Sequence, residues 1–354
     1  MRRFILLLLN EFKLSRTAPV VHLIAILQPT LMYLLMATIM VVPTFEMKVV
    51  ESDTQLGRDF LNAMEEVGSP IGPDYIQPIL VESADPGHRQ VIKLIDLEGK
   101  PTALQQFGMI DSNLVKNLRN RLTAAALVLW NHDLGSRGIL IQEHPWLPVD
   151  IPYTVYFGMA MIPLAAYLAA AMIGGYLMAG EFENGTILVY RLSPTHFLLP
   201  LGAKLTRLII TGLAAAAILY LSLGIITGVW ASAVLPVFLI LLPLTVIAAC
   251  IGLTAGMLTQ SALPSFLAAL ASAFAFWLIG SGFGLAAGFS TTFERISRLI
   301  PNTPVVEMLF PYFYFGRQVS AHPLGACLQL VGYSLALIVI TGLVYRLRVL
   351  SKKR

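Results

Sequence analysis

The sequence predicts an α-helical integral membrane protein with six transmembrane helices and a water-soluble α/β insertion between the first and second. Three observations predict it. Hydrophobic residues fill 56% of the 354 positions and charged residues only 12%, about half the roughly 25% charge of a soluble globular chain. A soluble fold could not keep that much apolar surface from water, whereas a bilayer becomes its solvent. Six stretches stay apolar over about 20 residues, the length that crosses a hydrocarbon core: 19–42, 154–179, 207–230, 234–258, 263–289 and 325–345. Charge is also segregated. Residues 44–152 hold 15 of the 20 acidic and 9 of the 24 basic residues, so an insertion of net −6 interrupts a body of net +10.

The first element is residues 1–18. Its apolar run, Phe4 to Leu9, is followed by Asn10, Glu11, Lys13 and Arg16. Six residues fall short of a signal-peptide core, so the segment reads as a retained amphipathic helix lying at the interface. Phe4, Glu11 and Phe12 are its candidate interface residues. The first span, 19–42, leads into the insertion, 43–152. There Gln55–Val67 carries a helical stripe of Leu56, Phe60, Met64 and Val67, and Ile76–Val81 and Gln90–Asp96 read as strands. A long helix is expected from Ser112 to Trp130, N-capped by Asp111 or Ser112. A last strand, Gly138–Gln142, precedes Pro145, Pro148 and Pro152. The insertion is large enough for a modest core of its own. Both cysteines, Cys250 and Cys327, lie in spans, which leaves the insertion without a disulfide framework or cysteine zinc site.

Residues 153–345 contain the other five spans. The third and fourth form a tight hairpin about Ala231–Ala233, and Thr259–Ser261 joins the fourth to the fifth. The loop 290–324 ends in an apolar, aromatic run too short to span, which reads as a re-entrant or interfacial hairpin with an aromatic belt. Lys and Arg concentrate in 1–18, 180–206 and the basic tail 346–354, with Arg207 at the border of a span. Both termini are therefore expected in the cytoplasm, the insertion outside and the chain in the plasma membrane. The basic residues sit at the ends of apolar runs, so they read as membrane anchors and no nucleic-acid partner is expected.

Chemistry is sparse. None of the six apolar cores contains Asp, Glu, Lys or Arg; ion-coupled pumps place ionisable residues at that depth. His22 reads as a satisfied interfacial histidine. Neither HExxH nor GxxxxGK[ST] occurs, and His88, His132 and His144 share no metal-ligand spacing. The Gly280-Ser281-Gly282 triplet lacks a nearby base, and it reads, with Ala214–Ala217 and the glycines through Gly288, as small residues for helix packing, within one subunit or at a dimer interface. In the loop 180–206, Glu181 and Glu183 close an apolar helix just before Gly185. Carboxylates at a helix C-terminus oppose its dipole, which suggests basic or hydrogen-bonding groups on a docked protein.

The segment GEFENGTI followed by LVYRLSPTHFLLPLGAKLTRLII resembles the permease subunits of ABC-2 type exporters. In that family an E-x-E-x-G-T segment follows the second span, and a short helix, an SP turn and a GK lead into the third. The matching positions are Glu181, Glu183, Gly185, Thr186, Ser193, Pro194 and Lys204, with Gly202-Ala203 in place of an adjacent glycine. ISRLIPNTPVVEML (296–309) is similar to the family's outer loop between the fifth and sixth spans. The resemblance implies a type V ABC exporter-like fold and no cofactor on this chain. ATP and Mg would be bound by a separate cytoplasmic ABC ATPase subunit, and a second permease half, identical or paralogous, would complete the path. It further implies that Glu181, Phe182, Glu183, Gly185 and Thr186 couple to the ATPase together with the N-terminal helix. The chain would then be an exporter subunit, not an enzyme. The alternatives are a non-translocating ABC subunit that transmits motion to an envelope partner, or an ATP-independent membrane enzyme or scaffold.

Overall fold

The computed structural model describes residues 2–14, 18–40, 45–50, 54–68, 76–82, 90–97, 100–107, 112–134, 153–192, 196–284, 290–314 and 323–350. In chain order its elements are α1 (Arg2–Leu14), α2 (Pro19–Met40), β1 (Phe45–Val50), α3 (Gln55–Glu65), β2 (Ile76–Val81), β3 (Gln90–Leu97), β4 (Lys100–Phe107) and α4 (Ser112–Leu134). They continue with α5 (Tyr153–Glu183), α6 (Ile187–Leu192), α7 (Leu198–Thr227), α8 (Val234–Thr259), α9 (Ala262–Ile279), α10 (Thr291–Ser297), α11 (Asn302–Phe313) and α12 (Pro323–Tyr345), which runs on as a π-helical turn, Arg346–Leu350. Two compact units result, Val41–Pro152 and the remainder.

The smaller unit is α/β, with a four-stranded sheet of order β2-β1-β3-β4. β1 is parallel to both β2 and β3, while β3 and β4 pair antiparallel. The register aligns Phe45 with Ile76 and Val49 with Ile92. Because side chains alternate along a strand, Met47, Val49, Ile76 and Ile92 fall on one face. Phe60 and Met64 of α3, Val67 and, from α4, Leu122 and Ala125 complete that core. Thr54 caps α3 by accepting from Gly57 N at 3.1 Å. The two strands predicted within the described residues are present. β1 and β4 were not expected, the one short and charged, the other polar and holding Pro101. β4 and β2 (with Pro78) are the edge strands, where a missing N–H is tolerated. Gly138–Gln142 and the cap at Asp111 lie outside the described residues.

The larger unit contains six helices long and apolar enough to cross a membrane, and the chain is a multi-pass membrane protein. Their bounds differ instructively from the apolar stretches. α5 and α7 have 31 and 30 residues, about 45 Å at 1.5 Å per residue, against a hydrocarbon core of about 30 Å. Both helices outrun the core, so their charged ends belong to helix and not to loop. α9 is shorter than the expected 263–289. It stops at Ile279, where Gly280 leaves helical geometry and Ser281 adopts φ 71°. Gly280 and Gly282 therefore end a helix and do not line a helix face; Gly288 lies outside the described residues. Ala215 and Ala216 of α7 are buried within the chain.

α5 is the hub. It is buried from Thr154 to Gly175 and packs against α2, α7, α8, α9 and α11. Its small residues permit close approach: a Cβ on Gly212 would lie 2.7 Å from Ala166 O, and one on Gly256 2.6 Å from Gly175 O. Trp277 of α9 donates its Nε1–H to Ala160 O at 2.9 Å. The described part of the loop 290–324 folds as α10 and α11. The described part of its aromatic run does not form an exposed belt; Phe315 lies outside the described residues. Phe310 and Phe313 are buried, Phe310 stacks on Tyr314 at 4.0 Å, and Phe313 meets Tyr220 edge-on. Burial against α5, α8, α9 and α12 satisfies these rings better than an interface would.

Candidate functional site

Six polar side chains distant in sequence converge at one end of the larger unit. α1 turns Phe4, Leu7, Leu8, Glu11 and Phe12 inward, the i, i+3, i+4, i+7, i+8 pattern of a packed helix, while Ile5, Leu6 and Leu9 stay exposed. Gly202 of α7 admits Phe4, whose Cε2 lies 3.6 Å from where a glycine Cβ would stand. Two turns beyond Phe4, Glu11 is 4% exposed. It meets Lys204 and Arg207 of α7, themselves 3% and 1% exposed. Lys204 Nζ donates to Glu11 Oε1 at 2.8 Å and to Glu181 Oε1 at the end of α5. Arg207 Nη1 lies 3.6 Å from Glu11 Oε2.

Tyr190 of α6 closes the cluster. Its hydroxyl lies 3.1 Å from Glu181 Oε1 and 3.4 Å from Glu11 Oε1, and Lys204 Nζ sits 5.1 Å from its ring centroid. Burial pushes the Tyr190 phenol well above its ordinary pKa, so it stays a neutral donor. On the opposite side Arg207 Nη2 reaches His22 Nε2 at 2.6 Å, and His22 Nδ1 lies 2.8 Å from Ala18 O. A guanidinium can only donate. Nε2 therefore accepts, Nδ1 carries the hydrogen, and His22 is a satisfied neutral histidine. Two carboxylates face two cations in a water-poor setting where charges must be paired. A cavity with room for about one water adjoins Glu11, Lys204 and Arg207.

The acidic turn is likewise tied into the chain. Asn184 N and Nδ2 both donate to Gly180 O, at 2.9 and 2.8 Å. Gly185 sits at φ 70°, the left-handed conformation that favours glycine after a helix. Thr186 Oγ1 donates to Glu181 O at 3.3 Å. Glu183 accepts from Ser261 Oγ at 2.9 Å and Ala262 N at 2.8 Å, capping α9. Phe182 is half-buried. The dipole argument that Glu181 and Glu183 await groups on another protein thereby loses its ground. Their compensating charge and donors are supplied by α7 and α9, so the dipole argument no longer calls for an external partner. Lys204 and Arg207 are not headgroup-facing anchors either; both are buried. Ser193 and Pro194 lie outside the described residues.

Glu183→Ala is expected to lower stability by about 1 kcal/mol, the usual worth of an N-terminal cap, read as a small fall in thermal midpoint in detergent. An unchanged midpoint would show that the cap contributes nothing.

Sequence reasoning missed Glu11, Lys204, Arg207 and Tyr190 as one assembly. A usable signal existed: only five acidic residues lie outside 44–152, and Glu11 falls on the same helical face as Phe4, Leu7 and Leu8. Among the described residues no group of three or more His, Cys, Asp or Glu could hold a metal ion. His132 pairs with Glu66 at 3.3 Å on an exposed surface; His88 and His144 lie outside the described residues. No protein-family model matches the chain, and no curated protein matches it by sequence.

Proposed function

We propose that this chain is the membrane-spanning permease subunit of an ATP-driven ABC-2 type exporter, moved by ATP that a separate cytoplasmic subunit hydrolyses, with a second permease half completing the path. The observation that carries the proposal is the buried ion cluster. It fastens α1, α2, the end of α5, α6 and the start of α7 into one block, and α5 runs from that block through the centre of the bundle. A push on the block therefore moves the hub helix directly, with little play to absorb it. Beside it α6 presents Leu188, Val189 and Leu192, 54%, 66% and 84% exposed. A small apolar patch of this kind suits a partner's groove.

Charge reversal of Glu181 would break the fold before it tested docking, so the test uses the exposed positions. Leu188→Asp with Leu192→Asp is expected to abolish co-purification with the ATPase, while membrane insertion and thermal midpoint stay near wild type. Co-purification at wild-type yield would sink the coupling assignment.

The second reading, a subunit that transmits motion without translocating, gains support from one feature. The unit Val41–Pro152 has its own core and directly precedes α5 in the chain. ATPase stimulation in liposomes by a transported compound supports export; stimulation by an envelope protein alone supports transmission.

A further inference from the structure

Outside the ion cluster, one other Asp, Glu, Lys, Arg or His side chain is buried among the described residues: Glu307, 6% exposed, in the middle of α11. The helix that holds it packs against α5, α8, α9 and α12. No hydrogen bond or ion pair reaches the carboxyl from a described residue, and the two donors one turn earlier on α11 are engaged elsewhere. One turn earlier, Thr303 Oγ1 donates to Ser297 O at 2.6 Å and takes the Ser297 hydroxyl at 2.7 Å. Asn302 Nδ2 donates to Gly280 O at 2.6 Å.

The titratable groups around it do not neutralise it. α5 contributes Tyr153 and Tyr156, whose hydroxyls donate to Phe283 O and Ser281 O, each at 2.7 Å. α10 and the turn after it contribute Glu294, Arg295 and Arg298. Arg298 is 54% exposed and gives Nε and Nη2 to Glu294 Oε1 at 3.1 and 2.8 Å; Arg295 is exposed. α12 offers Cys327 and Tyr333, the latter bonded to Leu299 O at 3.2 Å. α8 holds only Cys250 and α9 has no titratable residue. Tyr312 and Tyr314 lie on or just after α11 itself.

A carboxylate buried without a partner is strongly disfavoured, and such a group takes up a proton instead. Burial pushes the Glu307 carboxyl above the ordinary carboxylate range; Arg298 opposes that shift and Glu294 reinforces it.

We propose that Glu307 is a proton-binding site, held as the neutral acid while α11 is packed and releasing its proton when α11 moves into water. The proposal is independent of the export reading. By linkage, the packed conformation binds this proton more tightly than an opened one. Packing is thus favoured at low pH and weakened as pH rises from the ordinary carboxylate range through the raised value.

The test is infrared spectroscopy of the full chain in lipid nanodiscs. At neutral pH the wild type is expected to show the carbonyl stretch of a protonated carboxyl, shifted in D2O and missing from both Glu307→Gln and Glu307→Ala. Titrating the wild-type band requires no variant, and its midpoint is expected above the ordinary carboxylate range. Identical carboxyl bands in wild type and Glu307→Gln, or a midpoint within the ordinary range, would overturn the proposal. So would a Glu307 band that appears at neutral pH only after Arg317→Ala. That result would assign Glu307 to an ion pair with Arg317, which lies outside the described residues.

Discussion

Lys204→Met is expected to cost roughly 3–5 kcal/mol, the loss typical when one partner of a buried ion pair is removed. Lys204 Nζ is the donor shared by Glu11 and Glu181. Its removal leaves two buried carboxylates against a single cation, Arg207, and the adjoining cavity has room for only about one water. Tyr190 can donate one proton only, so it cannot satisfy both. The expected readout is a large fall in the thermal midpoint of the purified protein and a poor yield of folded chain. The double variant Lys204→Met with Glu181→Gln restores charge balance, leaving Glu11 paired with Arg207. It is expected to recover most of the loss. A single variant that melts like wild type would show that the cluster does not hold this end together. A double variant no better than the single one would show that packing of the lysine stem, and not charge, is what matters.

The six spans were legible because length and apolarity suffice to define a membrane helix, and no partner need be known. Their ends were not, for a physical reason. A helix does not stop where the hydrocarbon stops, and Glu181, Lys204 and Arg207 continue the backbone hydrogen bonding of α5 and α7 beyond it. The ion cluster was illegible as a unit because its hydrogen bonds and ion pairs join residues far apart in sequence, Lys204 and Glu11 by 193 positions. The face of Glu11 follows from periodicity; its partner follows only from the fold. The acidic turn shows the opposite failing. Its residue types were recognised, but the dipole argument looked outward for charges that α7 supplies from within. In the smaller unit, Ile76–Val81 and Gln90–Leu97 announced themselves by apolar alternation. Lys100–Phe107 did not, although only Glu98 and Gly99 separate it from the preceding strand, the spacing of a two-residue hairpin.

Gly252→Ala is expected to disrupt the packing of α8 against α5 severely. A Cβ at Gly252 would fall on the carbonyl oxygen of Ala171, with Ala171 C and Cα both at 2.8 Å. All three are backbone atoms, so no side-chain rotation relieves the clash. Four residues on, Gly256 would meet Gly175 O at 2.6 Å and Met178 Cβ at 2.8 Å. Gly252 and Gly256 thus form a small-xxx-small face laid against Ala171 and Gly175 of α5. This pattern was available in the sequence, where Ala214–Ala217 drew attention instead. Overpacking a core costs about 1–3 kcal/mol when side chains can adjust. Here α8 must move away from α5, and α7, α9 and α2 rest on the same hub. The loss is therefore expected at or above the top of that range, and Gly252→Leu should not yield folded protein. Gly342→Ala in α12 is the control, because a Cβ there meets nothing within 4 Å and alanine favours helix. Its thermal midpoint is expected to equal or exceed wild type. A Gly252→Ala protein that melts with the control would mean that α5 and α8 stand further apart than this contact requires. The hub would then be too loosely held to carry motion from the ion cluster through the bundle.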